Sequence, residues 1–162
     1  MAVRKIRVLG DEILRKACKP VPEMTPRNAQ LIEDMFDTMY ENNGVGLAAS
    51  QVGILKQIVV IDIEDGNQYV LINPEILEEE GTQTGQEGCL SVPGKCGVVT
   101  RPNKVKVRAL DEHMQEYILE GEGLLARAIV HECDHLKGQM YVDLVEGELM
   151  DAAAEEGEEE TE

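Results

Sequence analysis

The chain has no tryptophan, a single phenylalanine and an aromatic content of only 3%, so its core must be built from Ile, Leu, Val, Met and Ala. Hydrophobic residues still make up 43% of the 162 positions, an ordinary share for a globular chain, which excludes wholesale disorder. That length suits one domain able to bury most of the surface its unfolded form exposes. Basic residues are scarce: 15 Lys and Arg against 32 Asp and Glu leave a net charge of -17. This balance excludes an electrostatic grip on nucleic acid or on an anionic membrane, because binding phosphates needs clustered cations. No Lys or Arg follows Lys137, and the chain ends in EEGEEETE, a run that predicts a solvated, disordered end. Long apolar runs are also missing. The opening MAVRKIRVLGDEILRKAC holds no signal-peptide core, and no later stretch is long enough to span a bilayer. The four cysteines, Cys18, Cys89, Cys96 and Cys133, make no CxxC pair and no secreted-scaffold spacing. A reducing, cytoplasmic setting with thiols kept reduced is therefore expected.

What is present organises readily. Thr25 as N-cap, Pro26 at the first helical position and the stripe Leu31, Ile32, Met35, Phe36, Met39, Tyr40 predict a helix that stops at Asn43-Gly44. IVVIDI (58–63) and QYVLINP (68–74) read as strands joined by a turn at Asp65-Gly66-Asn67. KVKVRAL (104–110) alternates as a half-buried strand, and QEYILE (115–120) follows a turn that carries His113, read as exposed. From Gly123 the period changes, and LLARAIVHECDHL predicts a second helix with Leu124, Ala128, His131 and His135 on one face. The fold class expected is α+β, with antiparallel strands around a helix bearing the histidines and one helix before the strands.

The chain has only three histidines, and two of them, His131 and His135, flank Glu132 in HECDH. Four residues along a helix is about one turn, a rise of roughly 6 Å, so both imidazoles project from one face and can converge on one ion. Glu132 lies about 100° around, near that ion and suited to moving protons, which is the mechanics of the HExxH motif. A catalytic site needs a third protein ligand and an open position. Downstream the choices are Asp143, Glu146 and Glu148; upstream, Cys89 in QEGCLSVPG is either a soft thiolate ligand or a buried thiol. These leave open an endopeptidase using an acid such as Glu146, and a structural zinc site closed by a fourth protein ligand.

GVGLAASQVG (44–53), EGCLS (87–91) and HECDH (131–135), in this order and separation, resemble the three signature motifs of the peptide deformylases, over about Val3 to Leu144. The resemblance implies an α+β metal hydrolase that removes the formyl group from the initiator methionine of nascent polypeptides. It makes Cys89, His131 and His135 the ligands of one divalent ion, with Glu132 as general base on the metal-bound water. It also makes the Gln51 side chain and the Leu90 backbone N–H the donors to the oxyanion. Ferrous iron is the implied ion, although Zn2+, Ni2+ or Co2+ would suit the same donors. Val45, Gly46, Gly88, Leu124 and Ala128 fall at positions that receive the substrate backbone and methionine side chain. Glu87 is implied to pair with Arg101, the alternative being a solvated rim, and Asp134 to orient a neighbour. Cys133, pointing away from the histidine face, is expected to be buried and inert. Cys96 stands where the family often has Arg or Tyr, with Lys95 beside it as a substitute contact to substrate. The catalytic domain is placed at 1–145 and an acidic tail at 146–162. The expected partners are formyl-methionyl nascent peptides. Any passing ribosome contact is not through the tail, and neither nucleic acid nor membrane is expected; the chain is expected to be a monomer.

Overall fold

The computed structural model describes residues 2–151. A short 3-10 turn (Glu12–Arg15) and helix α1 (Pro26–Glu41) precede all the strands, the first seven of which are β1 (Gly46–Ala48), β2 (Ile58–Ile61), β3 (Tyr69–Glu80), β4 (Gln83–Cys89), β5 (Val92–Arg101), β6 (Lys104–Leu110) and β7 (Glu116–Glu122). Helix α2 (Leu124–Leu136), a 3-10 turn at Tyr141–Asp143 and strand β8 (Glu146–Asp151) follow. All pairings between strands are antiparallel, in one sheet ordered β1-β2-β3-β6-β7 and another ordered β4-β5-β8. The α+β expectation and both predicted helices are met.

Helix α1 begins as its sequence dictates: the Thr25 side chain accepts from the Asn28 N–H at 3.1 Å and Pro26 takes the first turn, satisfying one of the donors a helix start leaves orphaned. At its other end Asn43, with φ 58°, supplies the left-handed residue, while the Gly44 N–H closes onto the Met39 carbonyl at 2.9 Å.

The run IVVI in β2 is buried at every position because both faces of the five-stranded sheet are covered. Val59 and Ile61 pack toward α2, beside Ala126, Ile129 and Cys133. Ile58 and Val60 pack toward α1, against Leu31, Met35 and Met39. A strand covered on both sides has no reason to alternate in polarity. A third cluster, Leu14, Val92, Val99, Met140 and Tyr141, lies beneath the second sheet.

One strand runs past its sequence-based limits and another forms where no strand was expected. β3 does not stop at Pro74: a register shift between Ile72 and Glu75 absorbs Asn73-Pro74, and a bulge is where a strand tolerates proline. Asn73 (φ 52°) secures the bend by clasping both backbone groups of Val21, at 2.7 and 2.9 Å. The acidic continuation EILEEE then pairs with basic β6, Glu78 opposite Lys106 and Glu80 opposite Lys104, where opposite charges across a ladder are favourable. The segment starting at Glu146 enters as β8, an exposed edge strand paired with β5. The acidic remainder from residue 152, for which disorder was expected, lies outside the described residues.

Candidate metal centre and active site

Helix α2 is buried along most of its length between the two sheets, which lays the His131 and His135 rings on its inner face, 5.0 Å apart and edge to face. β4 ends at Cys89, and a register shift between Gly88 and Cys89 turns its side chain inward. The Sγ of Cys89 comes to 3.2 Å from the Nε2 of His135. One donor atom from each of Cys89, His131 and His135 lies within 4.8 Å of the other two, and among the described residues no other group of His, Cys, Asp or Glu converges in this way. Two of the three downstream acids are engaged elsewhere. Glu146 accepts from the Thr100 hydroxyl at 2.5 Å on an exposed face, and Asp143 is forked by Arg15.

Glu132 is buried, and its Oε1 has no hydrogen-bond partner among the described residues; its Oε2 is 3.9 Å from the Nε2 of His131. Burial pushes this carboxyl up to about 7, the nearby His131 opposing and Glu87 adding to the rise. An orphaned buried oxygen is costly unless something fills the space in front of it. On the other side of Glu132 lies Gly46, where a Cβ would meet Oε2 at 2.7 Å.

Glu87 holds the back of the site. Its Oε1 contacts the Nδ1 of His131 at 2.5 Å and accepts from Arg101 at 2.6 Å; its Oε2 accepts from Arg127 at 2.6 Å and from Arg101 at 3.2 Å. Burial works against this charge, but His131 and Arg101 outweigh it and hold the Glu87 carboxyl at about 2. The implied Glu87–Arg101 pair is thus an interior ion pair and not a solvated rim. Asp134 does orient a neighbour: it accepts from Arg101 at 2.7 Å. Burial opposes an imidazolium at His131, yet Glu132, Cys89 and Glu87 overcome it and raise its pKa well above the ordinary histidine value; burial and His131 depress His135. The three donors therefore meet at a point where one imidazole holds a proton readily and the other resists it. A thiol and two imidazoles at such a point suit a borderline-soft divalent ion, and the residues present fit one.

Gln51 is buried in the 3-10 turn Ala49–Val52, its Oε1 accepting from the Ala48 N–H at 2.9 Å. That anchor directs its Nε2 toward the Ser91 hydroxyl (3.0 Å) and the Cys89 sulfur (3.5 Å). A cavity of about 630 Å³ opens in front of these groups. It is lined by every other residue expected to meet substrate or oxyanion: Val45, Gly46, Gly88, Leu90, Leu124 and Ala128. Cys133 packs in the main core, and burial lifts its thiol to about 12, as its inert reading requires. Cys96 is buried near Gln86 (3.8 Å), and Lys95 beside it pairs with Asp151 of β8 at 3.1 Å. Two contributors escaped the sequence reading. Ser91 holds Gln51, and Arg127 holds Glu87. The only sequence signal for Arg127 is a lone charge inside the apolar LLARAIV, four residues before His131.

A buried HExxH helix meeting a strand-end cysteine at the floor of an open cavity defines a metal-dependent hydrolase. Comparison with known proteins narrows the class. Residues 3–149 match the family model described as polypeptide deformylase. A peptide deformylase of Agathobacter rectalis is 62% identical over 98% of this chain and all of its own length, and one of Lachnoclostridium phytofermentans is 57% identical over 99% of each. Among solved structures, the peptide deformylase of Legionella pneumophila superposes with a TM-score of 0.86 at 47% identity, covering 89% of this chain and 86% of that one. That of Synechococcus elongatus in complex with actinonin gives 0.85 at 47% identity, covering 88% and 78%. The chain belongs to the polypeptide deformylase family.

Proposed function

We propose that the chain hydrolyses the N-formyl group from the initiator methionine of nascent polypeptides, with Cys89, His131 and His135 holding one divalent ion and Glu132 acting as the base. The observation that carries this is the convergence of those three donors beside a buried glutamate oxygen that has no partner among the described residues. When bound there, such an ion supplies Lewis-acid chemistry, lowering the pKa of water and polarising a carbonyl.

The remaining work falls to the protein. Glu132, raised to about 7, is matched to accepting a proton from the attacking water near neutral pH and returning it to the leaving amine. The Nε2 of Gln51 and the backbone N–H of Leu90 are the donors for the oxygen that gains charge, each contributing on the order of 3 kcal/mol. Val45, Leu124 and Ala128 offer an apolar wall to the methionine side chain. Gly46 and Gly88 let the extended peptide backbone come close. Glu87 keeps Nδ1 of His131 occupied and so leaves Nε2 for the ion.

Ferrous iron is the ion proposed, with Zn2+, Ni2+ and Co2+ suited to the same donors. The proposed setting is a monomer in the cytoplasm, with residues 1–145 as the catalytic unit and any contact with the ribosome made without the acidic tail. The chain offers no helix, among the described residues, long and apolar enough to cross a membrane.

Protein prepared without oxygen and loaded with Fe2+ should release formate from a formyl-methionyl tripeptide and leave the acetylated peptide and the internal peptide bonds intact. Internal cleavage without formate release would overturn the reading in favour of an endopeptidase.

A further inference from the structure

We propose that Arg127 is a positioning residue for the metal site, setting the end of β4 against α2 through Glu87 so that Cys89 meets His131 and His135. The inference rests on the reading of those three residues as ligands. They come from two elements, two from α2 and one from the end of β4, and nothing in the backbone hydrogen bonding of either element fixes their mutual distance. Glu87 lies two residues before Cys89 and is the bridge. It reaches α2 twice, through Oε1 to the Nδ1 of His131 (2.5 Å) and through Oε2 to Arg127 (2.6 Å). Arg127 and His131 are four residues apart, neighbours on one face of the helix, so one carboxylate is gripped at two points by the element that carries both histidines.

Arg101 also forks Glu87, but from β5, the strand that pairs with β4. Through its other nitrogen it also reaches Asp134 of α2 (2.7 Å), so it links the carboxylate to the helix only by way of a second acid, whereas Arg127 stands on the helix and grips the carboxylate directly. The Arg127 side chain is built into place. It is 8% exposed, its other contacts are the Val99 carbonyl at 3.3 Å and the Gln83 side chain at 3.4 Å, and β4 carries glycine opposite it. A Cβ on Gly85 would lie 3.6 Å from the guanidinium, an ordinary contact, so the strand packs close against Arg127 without needing the glycine. Arg127 also lines the substrate cavity, so its loss acts on substrate positioning as well as on the ligands.

The test uses the full chain loaded with Co2+, whose visible and thiolate charge-transfer absorption reports ligand geometry. Its rate of loss to a chelator is also followed. Arg127→Met keeps the stem and removes the guanidinium. It should lose Co2+ ten- to a hundred-fold faster than the unaltered protein, in keeping with the usual effect of removing a partner behind a metal ligand, and its thiolate band should shift. Arg127→Lys, able to reach one oxygen of Glu87, should fall between. Arg4→Met, which breaks the distant ion pair with Asp34, controls for loss of stability and should leave spectrum and loss rate unchanged. A folded Arg127→Met with unaltered spectrum and a loss rate within twofold would overturn the proposal. If Arg127→Met does not fold, Arg127→Lys decides by the same two readouts. Absence of any thiolate–Co2+ band in the unaltered protein would instead overturn the ligand assignment, and this inference with it.

Discussion

At the scale of single residues, the site depends on what is small as much as on what reacts. Gly46 leaves Glu132 its position: an added Cβ would sit 2.7 Å from Oε2, inside any tolerable contact. Gly46→Ala should therefore displace Glu132 and lower kcat at least about tenfold, with metal content and melting temperature close to those of the unaltered protein; steady-state kinetics with metal analysis check this. Gln51→Ala should lose about two orders of magnitude in turnover while retaining its ion, since Gln51 is aimed at the cavity and is not among the converging donors. The histidines and Glu132 were legible from spacing alone, because a helix converts a separation of four into a shared face. Cys89 was not, since a strand-end cysteine 42 positions upstream has no spacing rule and only the family motifs single it out. Ser91 and Arg127 were illegible for a related reason: each acts through a partner that only the tertiary fold brings near.

At the scale of elements, α2 carries His131, Glu132 and His135 toward the site and packs the rest of its surface into the core. Ile129, fully buried against the five-stranded sheet, fixes the depth of the helix. Ile129→Ala should cost about 2–5 kcal/mol by opening a cavity; urea unfolding of the metal-free protein measures it. The helices were easy to read because caps and apolar stripes are local. β4 and β5 were not: QTGQEGC holds a single β-branched residue, and the short VVT of VPGKCGVVTR follows a proline and two glycines, so their strand character comes from pairing with each other and from the site they frame. β3 was read short because proline usually ends a strand, and only the clasp of Asn73 on Val21 makes the bulge that carries the chain past it.

At the scale of the molecule, the N-terminal segment joins α1 to the site. Ala2 and Arg4 are held by Asp34, the backbone N–H of Arg4 donates to Thr38, and the N–H groups of Arg7 and Leu9 donate to the carbonyls of Gln51 and Ser91. Burial pushes the Asp34 carboxyl up, but hydrogen bonds from Gln30, the Ala2 amide and Arg4 outweigh it and hold it below its ordinary 3.8. A depressed carboxyl stabilises the fold fully above its unfolded pKa and loses that contribution as pH falls through the folded value. Asp34→Asn should accordingly cost about 1–2 kcal/mol at neutral pH, and the difference from the unaltered protein should shrink as pH is taken below about 4. Denaturant titrations at pH 7 and pH 3 provide the comparison.

The central claim is that Glu132 moves the proton in formyl hydrolysis at an ion held by Cys89, His131 and His135. The most direct measurement is formate release by Fe2+-loaded protein and by Glu132→Ala, with bound iron counted in both. The account predicts about one ion per chain in each, and turnover lost by at least two orders of magnitude in the variant. Formate release undiminished in a metal-loaded Glu132→Ala would contradict it.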